Sequence, residues 1–411
     1  MAHTRRPLRL VQAALALVFL TTLGCWDEPV PYATGTAGGG AGGGAGSGTA
    51  GSAGGAGGAG PGGGTGGTGD ATATGGSVGG TGGSTAGSAG QGGSQVVTVQ
   101  SWPTSDAVVA VDSMNQFSNN LSDLAYQSPA GGVGDVLWGI QNDPSTLYCL
   151  LWNGATWAAM TDDGWIYGKL LHYPTGLGSP DAEGMTRAET SSTAVYVASE
   201  RDNDAGSISR LSVLRYDFSG TAAALVATNE WNLTADLPVS PANNGLEGIT
   251  WIPDSYLVAN RFFDEAAGAV YAPSRYPDHG TGLFFVGHES GTIFGFALDQ
   301  SGGTFTRVAT IASGLAAVMS VYFDRDVGNL WTYCDNSCGN SASVLRMSSG
   351  HFTLQYLYNH PTTLPNSNME GIAIAPESEC VAGRKSFFWS DDDDYGGHAI
   401  YRGSIPCGPL P

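Results

Sequence analysis

The sequence has few charged residues, and basic residues are especially scarce. Of 411 residues, 36 are acidic and 16 are basic, and charged residues make up 13% of the chain. The first 97 residues hold three of each sign, so the rest of the chain carries 33 acidic and 13 basic residues. A domain this acidic repels nucleic acid and anionic lipid and attracts cations. We therefore expect no nucleic-acid partner.

Cysteine is also scarce, and its spacing argues against a zinc site. The six cysteines include no C-x-x-C pair and have no neighbouring histidine, which favours disulfides. Cys334 and Cys338 are close enough in sequence to staple a loop. Cys380 and Cys407 flank the last pair of predicted strands. Export to an oxidising compartment would allow both disulfides.

No apolar run is long enough to span a bilayer comfortably, but residues 1–24 resemble an export signal. Three arginines precede the apolar segment Leu10–Leu20, and Gly24 comes directly before Cys25. This pattern resembles a lipoprotein signal that is cleaved before Cys25 and acylated on it. Thr22 stands where such signals usually have leucine, so an ordinary secretory signal with an incidental cysteine is the alternative.

The predicted location follows from this signal. A lipid on Cys25 would make the membrane a partner and place the protein in the cell envelope. Since Trp26 rather than aspartate follows Cys25, bacterial sorting habits favour the outer membrane, facing either the periplasm or the cell surface.

Residues 25–97 are predicted to be a disordered linker. From Ala33 to Ser94 the chain is nearly all Gly, Ala, Ser and Thr, which cannot build a core. A flexible coil of about 60 residues would have a root-mean-square reach of roughly 40 Å. Collagen is excluded because the glycines keep no third-residue period and proline is almost absent.

Residues 98–411 form short β-rich runs separated by turn residues, and long amphipathic helical patterns are missing. Five runs share a signature, which is clear in the three copies with a Glu-Gly pair and degenerate in the other two. The copies are Leu121–Ala125, Ala182–Thr186, Leu246–Thr250, Val318–Tyr322 and Met369–Ala373. Further β runs follow each copy, with Ala224–Asn229 as the fourth run of the second repeat. Four antiparallel strands per repeat predict an all-β propeller.

The number of blades and the closure of the ring follow from the same runs. The fifth copy has too little chain left for a fourth strand, so we expect Val108–Asp112 to complete the last blade and remove an exposed edge. We count five blades and a monomer. A sixth blade within the stretch Glu247–Leu283, which includes Tyr256–Phe263, is the alternative.

The order Ser-Asp-Leu, Glu-Gly, Glu-Gly, Ser, Glu-Gly at the starts of the inner strands resembles the SdiA-regulated family of propellers. It is also similar to the related domain named esterase-like activity of phytase. The resemblance covers roughly Val108 to Cys407. It implies a β-propeller with bound calcium and a poorly defined activity. Met319-Ser320 departs from the Ser-Gly typical of the fourth copy, and the insertion around Arg261 to His279 is long.

Polar residues at the strand ends predict a metal site. The first strand of a blade starts where the second strand ends, so both ends share one rim. Carboxylates that converge there raise one another's pKa unless a cation intervenes, and calcium tolerates irregular oxygen geometry. The predicted ligands are Asp123, Glu183, Glu247, Glu370 and Asp391. The alternatives are hydrogen-bonded staples for the glutamates and a solvated acidic loop for most of Asp391–Asp394.

Two functions remain open. A calcium-binding propeller that acts as a binding or scaffold module for an extracytoplasmic ligand fits the acidic rim and the tether. A calcium-dependent phosphoesterase or esterase is the alternative, with His288 as a candidate general base. Neither G-x-S-x-G nor H-E-x-x-H is apparent, and Arg201 and Arg261 are the main basic candidates for the rim. A structural lipoprotein without a ligand is a third interpretation.

Overall fold

The computed structural model describes residues 97–128, 134–189 and 192–410. The predicted signal peptide, the predicted lipidation site Cys25 and the predicted linker up to residue 96 lie outside the described residues. Within them, strands dominate and only one short α-helix occurs. That helix is too short and too polar to cross a membrane, and no other described helix could do so.

Two short strands open the described chain, and the first blade follows them. The opening strands are β1 (Val99–Gln100) and β2 (Val109–Ala110). The strands of blade one are β3 (Leu121–Gln127), β4 (Val136–Gln141), β5 (Thr146–Trp152), β6 (Trp157–Ala159) and β7 (Lys169–His172). From the centre outwards the order is β3, β4, β5, β7, and β6 pairs with the other end of β5.

The chain segment that forms blade two also contributes one strand to blade one. Its own strands are β8 (Pro180–Thr186), β9 (Ala194–Asp202), β10 (Ser209–Asp217) and β12 (Asn229–Asn232). The intervening β11 (Ala224–Val226) pairs in parallel with β7 of blade one. The prediction of Ala224–Asn229 as one fourth strand was therefore wrong. The run divides because Leu225 packs in the core with Leu171, whereas Trp231 packs in a different core with Leu246.

Blade three contains the long insertion. Its strands are β13 (Leu246–Pro253), β16 (Gly282–His288), β17 (Thr292–Leu298) and β18 (Phe305–Ala312). Between β13 and β16 lie α1 (Asp254–Ala259), β14 (Phe263–Asp264) and β15 (Ala269–Val270). The alternative of a sixth blade was therefore wrong, because this stretch forms a six-residue helix and a hairpin whose two strands have two residues each. Leu257 and Phe262 anchor it in the core of blade three.

The N-terminal segment covers the outer edges of blades four and five. Blade four contains β19 (Ser320–Asp324), β20 (Asn329–Tyr333), β21 (Ala342–Ser348) and β22 (His351–Tyr358). Blade five contains β23 (Met369–Ile374), β24 (Arg384–Asp391) and β25 (Ile400–Pro406). As predicted, β2 completes blade five, with Val109 opposite Arg402. The strand β1 adds a fifth, parallel strand to blade four.

The five inner strands β3, β8, β13, β19 and β23 contact one another in a closed ring. Glycines make this approach possible. A Cβ atom on Gly184 would collide with the backbone of Glu247 and Gly248, and one on Gly248 with that of Ser320 and Val321. A side chain at either position would push neighbouring blades apart. The five-bladed propeller is therefore confirmed.

The cores lie between neighbouring blades, and disulfides fasten two loops. Trp138, Trp331 and Trp389, from the second strands of three blades, are fully buried, as expected for packing residues. The structure forms both predicted disulfides, Cys334–Cys338 and Cys380–Cys407. Five short 3₁₀ turns complete the secondary structure, at Asn203–Ala205, Pro273–Arg275, Asn336–Cys338, Glu377–Glu379 and Tyr395–Gly397.

Candidate functional site

One end of the central channel is lined by carboxylates from four of the five blades. Antiparallel pairing brings the start of each inner strand next to the end of its second strand, as where Leu246 faces His288 and Met369 faces Asp391. Side chains from both sets interact across this end. We call it the acidic mouth; it comprises Asp181, Glu183, Glu200, Glu247, Glu289, Asp335, Glu370 and Asp392.

Three of the predicted ligands lie near one another, since the charges of Glu183 and Glu370 both act on Glu247. Burial raises the pKa of each carboxyl group well above its ordinary value, and neighbouring carboxylates raise it further: Asp181 and Glu200 at Glu183, Glu200 and Glu183 at Glu247, and Asp392 and Glu183 at Glu370. Glu183 and Glu247 are each only 6% exposed. Their role as metal ligands stays a prediction.

Neutral amide groups hold two of these glutamates in place. Asn142 Nδ2 donates to both carboxylate oxygens of Glu183, at 3.1 and 3.3 Å. Asn368 Nδ2 donates to Glu370 Oε1 at 2.8 Å. Glu370 Oε2 is buried and has no hydrogen-bond partner among the described residues. A buried carboxylate oxygen without a donor is costly, and a cation would satisfy it.

Asp181 and Glu200 extend the cluster beyond the sequence prediction. One carboxylate oxygen from each lies within 4.8 Å of one from Glu183. Burial raises the pKa of Glu200 to about 7, although the Gly245 N–H group donates to this side chain. Arg201 Nε lies 2.6 Å from Asp181 Oδ2, in an orientation that makes an ion pair but no hydrogen bond. Asp181 precedes Glu183 by two residues in a strand, and this spacing was the available signal.

At the end of β24, Asp392 interacts with the carboxylates of the mouth, whereas Asp391 forms hydrogen bonds within the neighbouring loops. Burial raises the pKa of Asp392 to about 6, and its charge raises the pKa values of Glu183 and Glu370. Asp392 Oδ1 is buried without a partner among the described residues. Asp391 instead accepts hydrogen bonds from Ser367 Oγ at 2.8 Å and from the Tyr395 N–H group at 2.9 Å.

Asp123 lies one position deeper in the channel, where three other blades have glycine. Its carboxylate accepts hydrogen bonds from the Met185 N–H group at 2.9 Å and from Ser320 Oγ at 3.0 Å. Burial raises its pKa to about 8. Since Met185 lies in blade two and Ser320 in blade four, Asp123 joins three blades. Its role as a metal ligand remains a prediction.

His288 lies at the rim but is buried. The Ser290 N–H group donates to His288 Nδ1 at 3.0 Å, and burial lowers the pKa of the imidazole. The ring is therefore neutral at physiological pH, with its remaining proton on Nε2. This arrangement holds the ring in one tautomer and orients its Nε2–H group.

The mouth as a whole suits a hard cation. In the described part of the chain, Arg201 is the basic side chain that makes an ion pair with these carboxylates. Without a cation, repulsion and burial keep several of the carboxyl groups protonated. Oxygen ligands in an irregular arrangement match calcium better than magnesium, which demands a near-ideal octahedron.

Comparisons with known proteins add little to this geometry. No family model matches the chain, and no curated protein matches it. Among solved structures, a functionally unknown protein from Desulfotomaculum acetoxidans DSM 771 is 12% identical with a TM-score of 0.34, and the alignment covers 72% of each chain. The Malassezia sympodialis allergen Mala s 1 is 10% identical with a TM-score of 0.35, covering 73% of this chain and 81% of the allergen. At these values neither similarity carries an argument about function.

Proposed function

We propose that this protein is a lipid-anchored, extracytoplasmic β-propeller that binds calcium at its acidic mouth and acts as a binding or scaffold module. The propeller fold is that of a binding or scaffold module in general. The observation that carries the calcium proposal is the buried group Asp181, Glu183 and Glu200, whose carboxylate oxygens lie within 4.8 Å of one another. The charges of Glu247 and Glu370 interact with this group, and a buried oxygen of Glu370 has no donor among the described residues. The resemblance to the SdiA-regulated family, which implies bound calcium, also supports it.

Calcium would replace protons at this mouth. Asp181, Glu183 and Glu200 would supply the central oxygen ligands, because their carboxylate oxygens lie within 4.8 Å of one another. Glu247, Glu370 and Asp392, whose charges interact with this group, would complete the site. A divalent ion would let the carboxyl groups ionise and would bind several of their oxygens at once. An anionic group of the bound ligand would complete the coordination of the ion.

A binding role fits better than the alternative of a calcium-dependent phosphoesterase or esterase. A hydrolase of phosphate esters needs cationic donors around the transferred group. The basic side chain in the acidic mouth, Arg201, is engaged by Asp181. The buried, neutral His288 has its Nδ1 occupied by a backbone N–H group and cannot use that atom to accept a proton.

Thermal unfolding with calcium and with a chelator tests the proposal. We expect calcium to raise the melting temperature of the native chain and of the control Glu265→Gln, which changes an exposed glutamate outside the mouth. The triple variant Glu183→Gln, Glu247→Gln and Glu370→Gln should fold, because amides mimic the protonated acids, but should not respond to calcium. A native melting temperature that is the same in calcium and in chelator would refute the site.

A further inference from the structure

The end of the central channel opposite the acidic mouth contains a cavity, formed where the inner strands end. It has a volume of about 180 Å³. Its polar lining includes Gln127 at the end of β3, Arg187 just after β8 and Arg325 just after β19. We call this end the basic mouth. It belongs to none of the sites predicted from the sequence.

Two arginines face this cavity close to each other. Arg325 Nη2 donates to the backbone oxygen of Arg187 at 2.5 Å, and an Arg187 Nη2–H group donates to the Ser192 carbonyl. Burial, with repulsion from Arg325, lowers the pKa of Arg187 to about 10. Both groups therefore stay charged at neutral pH. The charge of Glu189 acts on Arg325 as well, and an anion bound between the two guanidinium groups would be attracted by both.

Aromatic rings hold the two guanidinium groups in fixed positions. The Cζ atom of Arg187 lies 5.4 Å from the centre of the Trp138 ring, and that of Arg325 lies 4.8 Å from the Trp251 ring. Stacked arginines lose little further freedom when they bind an anion. The basic mouth is therefore organised before a ligand arrives.

Gln127 provides a separate sign of a missing ligand. Its side chain is 3% exposed, and its Oε1 accepts a hydrogen bond from Trp138 Nε1 at 2.9 Å, which fixes the orientation of the amide. The Nε2 group is buried and donates to no acceptor among the described residues. A buried amide donor without an acceptor carries a desolvation cost that a bound oxygen atom would remove.

The acidic residues that line the cavity are engaged elsewhere. Asp324 accepts a hydrogen bond from Lys385 Nζ at 2.6 Å, and Asp326 accepts one from the Glu377 N–H group at 2.7 Å. The rest of the wall is largely apolar and includes Tyr126, Tyr322, Ile374 and Pro376. A ligand for this cavity therefore needs one negative group and an apolar body.

We propose that the basic mouth binds a small organic carboxylate. The carboxylate group would lie between Arg187 and Arg325 and accept a hydrogen bond from Gln127 Nε2, while the apolar body contacts the aromatic and aliphatic wall. This site is independent of the proposed calcium site, which lies at the other end of the inner strands. Guanidinium groups match a carboxylate in both charge and shape.

Calorimetric titration of the full chain in chelator tests the proposal with three probes. Benzoate combines a carboxylate with an apolar ring, phosphate supplies the anion alone, and benzyl alcohol supplies the ring alone. We expect benzoate to bind at least about tenfold more tightly than either of the others, the effect of one charge-assisted contact. Absence of benzoate binding, or equal binding of phosphate, would overturn the proposal.

Variants locate the bound carboxylate. Arg325→Gln changes an exposed arginine and should fold, and Gln127→Glu keeps the acceptor for Trp138 while adding a negative charge. Each should weaken benzoate binding by about tenfold or more. The matched control Arg384→Gln, at an exposed arginine outside the cavity, should leave it unchanged. If Arg325→Gln and Gln127→Glu both bind benzoate as the native chain does, the proposed carboxylate site is wrong, even if the calcium proposal holds.

Discussion

The acidic mouth and the basic mouth are opposite ends of the same five inner strands, but they arise from the sequence in different ways. The acidic mouth uses positions that repeat, since Glu183, Glu247 and Glu370 occupy the same place in three blades. The basic mouth uses Gln127, Arg187 and Arg325, which share no repeated motif. Repetition can therefore build a symmetric ion site, whereas an organic ligand without that symmetry needs residues that break the repeat.

The largest effect should come from the buried ion pair behind the basic mouth. Lys385 is buried, and its Nζ lies 2.6 Å from Asp324 Oδ2 and 2.8 Å from Glu377 Oε1. Lys385→Met should lower the free energy of unfolding by about 3 kcal/mol or more, because Asp324 would keep an uncompensated buried charge. Urea unfolding measures this change, with the exposed neighbour Arg384→Gln as control. A loss below about 1 kcal/mol would show that the mouth does not depend on this pair.

The next effect concerns Asp123, which separates the two mouths. Asp123→Ala should cost about 2 kcal/mol, because the Met185 N–H group and Ser320 Oγ would lose their buried acceptor. Asp123→Asn should cost less, since it keeps one acceptor oxygen and the pKa of about 8 already leaves the acid largely protonated at pH 7. Urea unfolding at pH 7 compares them, and equal losses would contradict the role of the hydrogen bonds.

A smaller effect is the pH dependence of the acidic mouth without calcium. The pKa of Glu200 rises from 4.5 to about 7 and that of Asp392 from 3.8 to about 6 on folding. The folded state then holds protons that the unfolded state has released. The resulting stabilisation is fully present below about pH 4 and is lost as the pH rises towards 7, by about 1 kcal/mol or more.

Urea unfolding in chelator between pH 4 and pH 8 measures this slope. Calcium should flatten it, because the ion replaces the protons, and Glu200→Gln should reduce it. A free energy of unfolding that rises with pH in chelator would contradict the raised pKa values.

The smallest effect should come from the basic mouth itself. Arg325→Gln should lower the free energy of unfolding by no more than about 1 kcal/mol, because the side chain loses its hydrogen bond to the Arg187 carbonyl and its contact with the Trp251 ring. The change should be the same at pH 5 and pH 8, because the nearby Arg187, with a pKa of about 10, stays charged at both. A change in the free energy of unfolding that differs between the two pH values would show that the stability of the basic mouth depends on pH as that of the acidic mouth does.

The inner strands and their glutamates could be predicted because one physical constraint recurs in each blade. A residue without a Cβ atom is needed where neighbouring blades touch, as at Gly184 and Gly248, and this leaves a visible Glu-Gly mark in the sequence. The closing strand β2 followed from the need to cover an edge. The inner strands and the closing strand could therefore be predicted from local motifs and from the number of strands available for each blade.

Other features depend on tertiary contacts that leave no local mark. The strand β11 leaves its own blade because Leu225 finds its core beside Leu171. The local sequence also does not distinguish Asp391, which accepts hydrogen bonds from Ser367 and Tyr395, from Asp392, which lies in the acidic mouth. Gln127 became notable only once its amide proved to be buried without an acceptor.

The pairing of β2 with β25 sets the order in which the domain can assemble. Val109 is among the first residues of the domain to be synthesised, and its partner Arg402 is among the last. Almost the full length of the domain must therefore leave the ribosome, and be exported if the signal is used, before the ring can close. This contact of very high sequence separation predicts slow folding and leaves an incomplete chain with an open blade edge. The last strand thus completes the fold only for full-length chains.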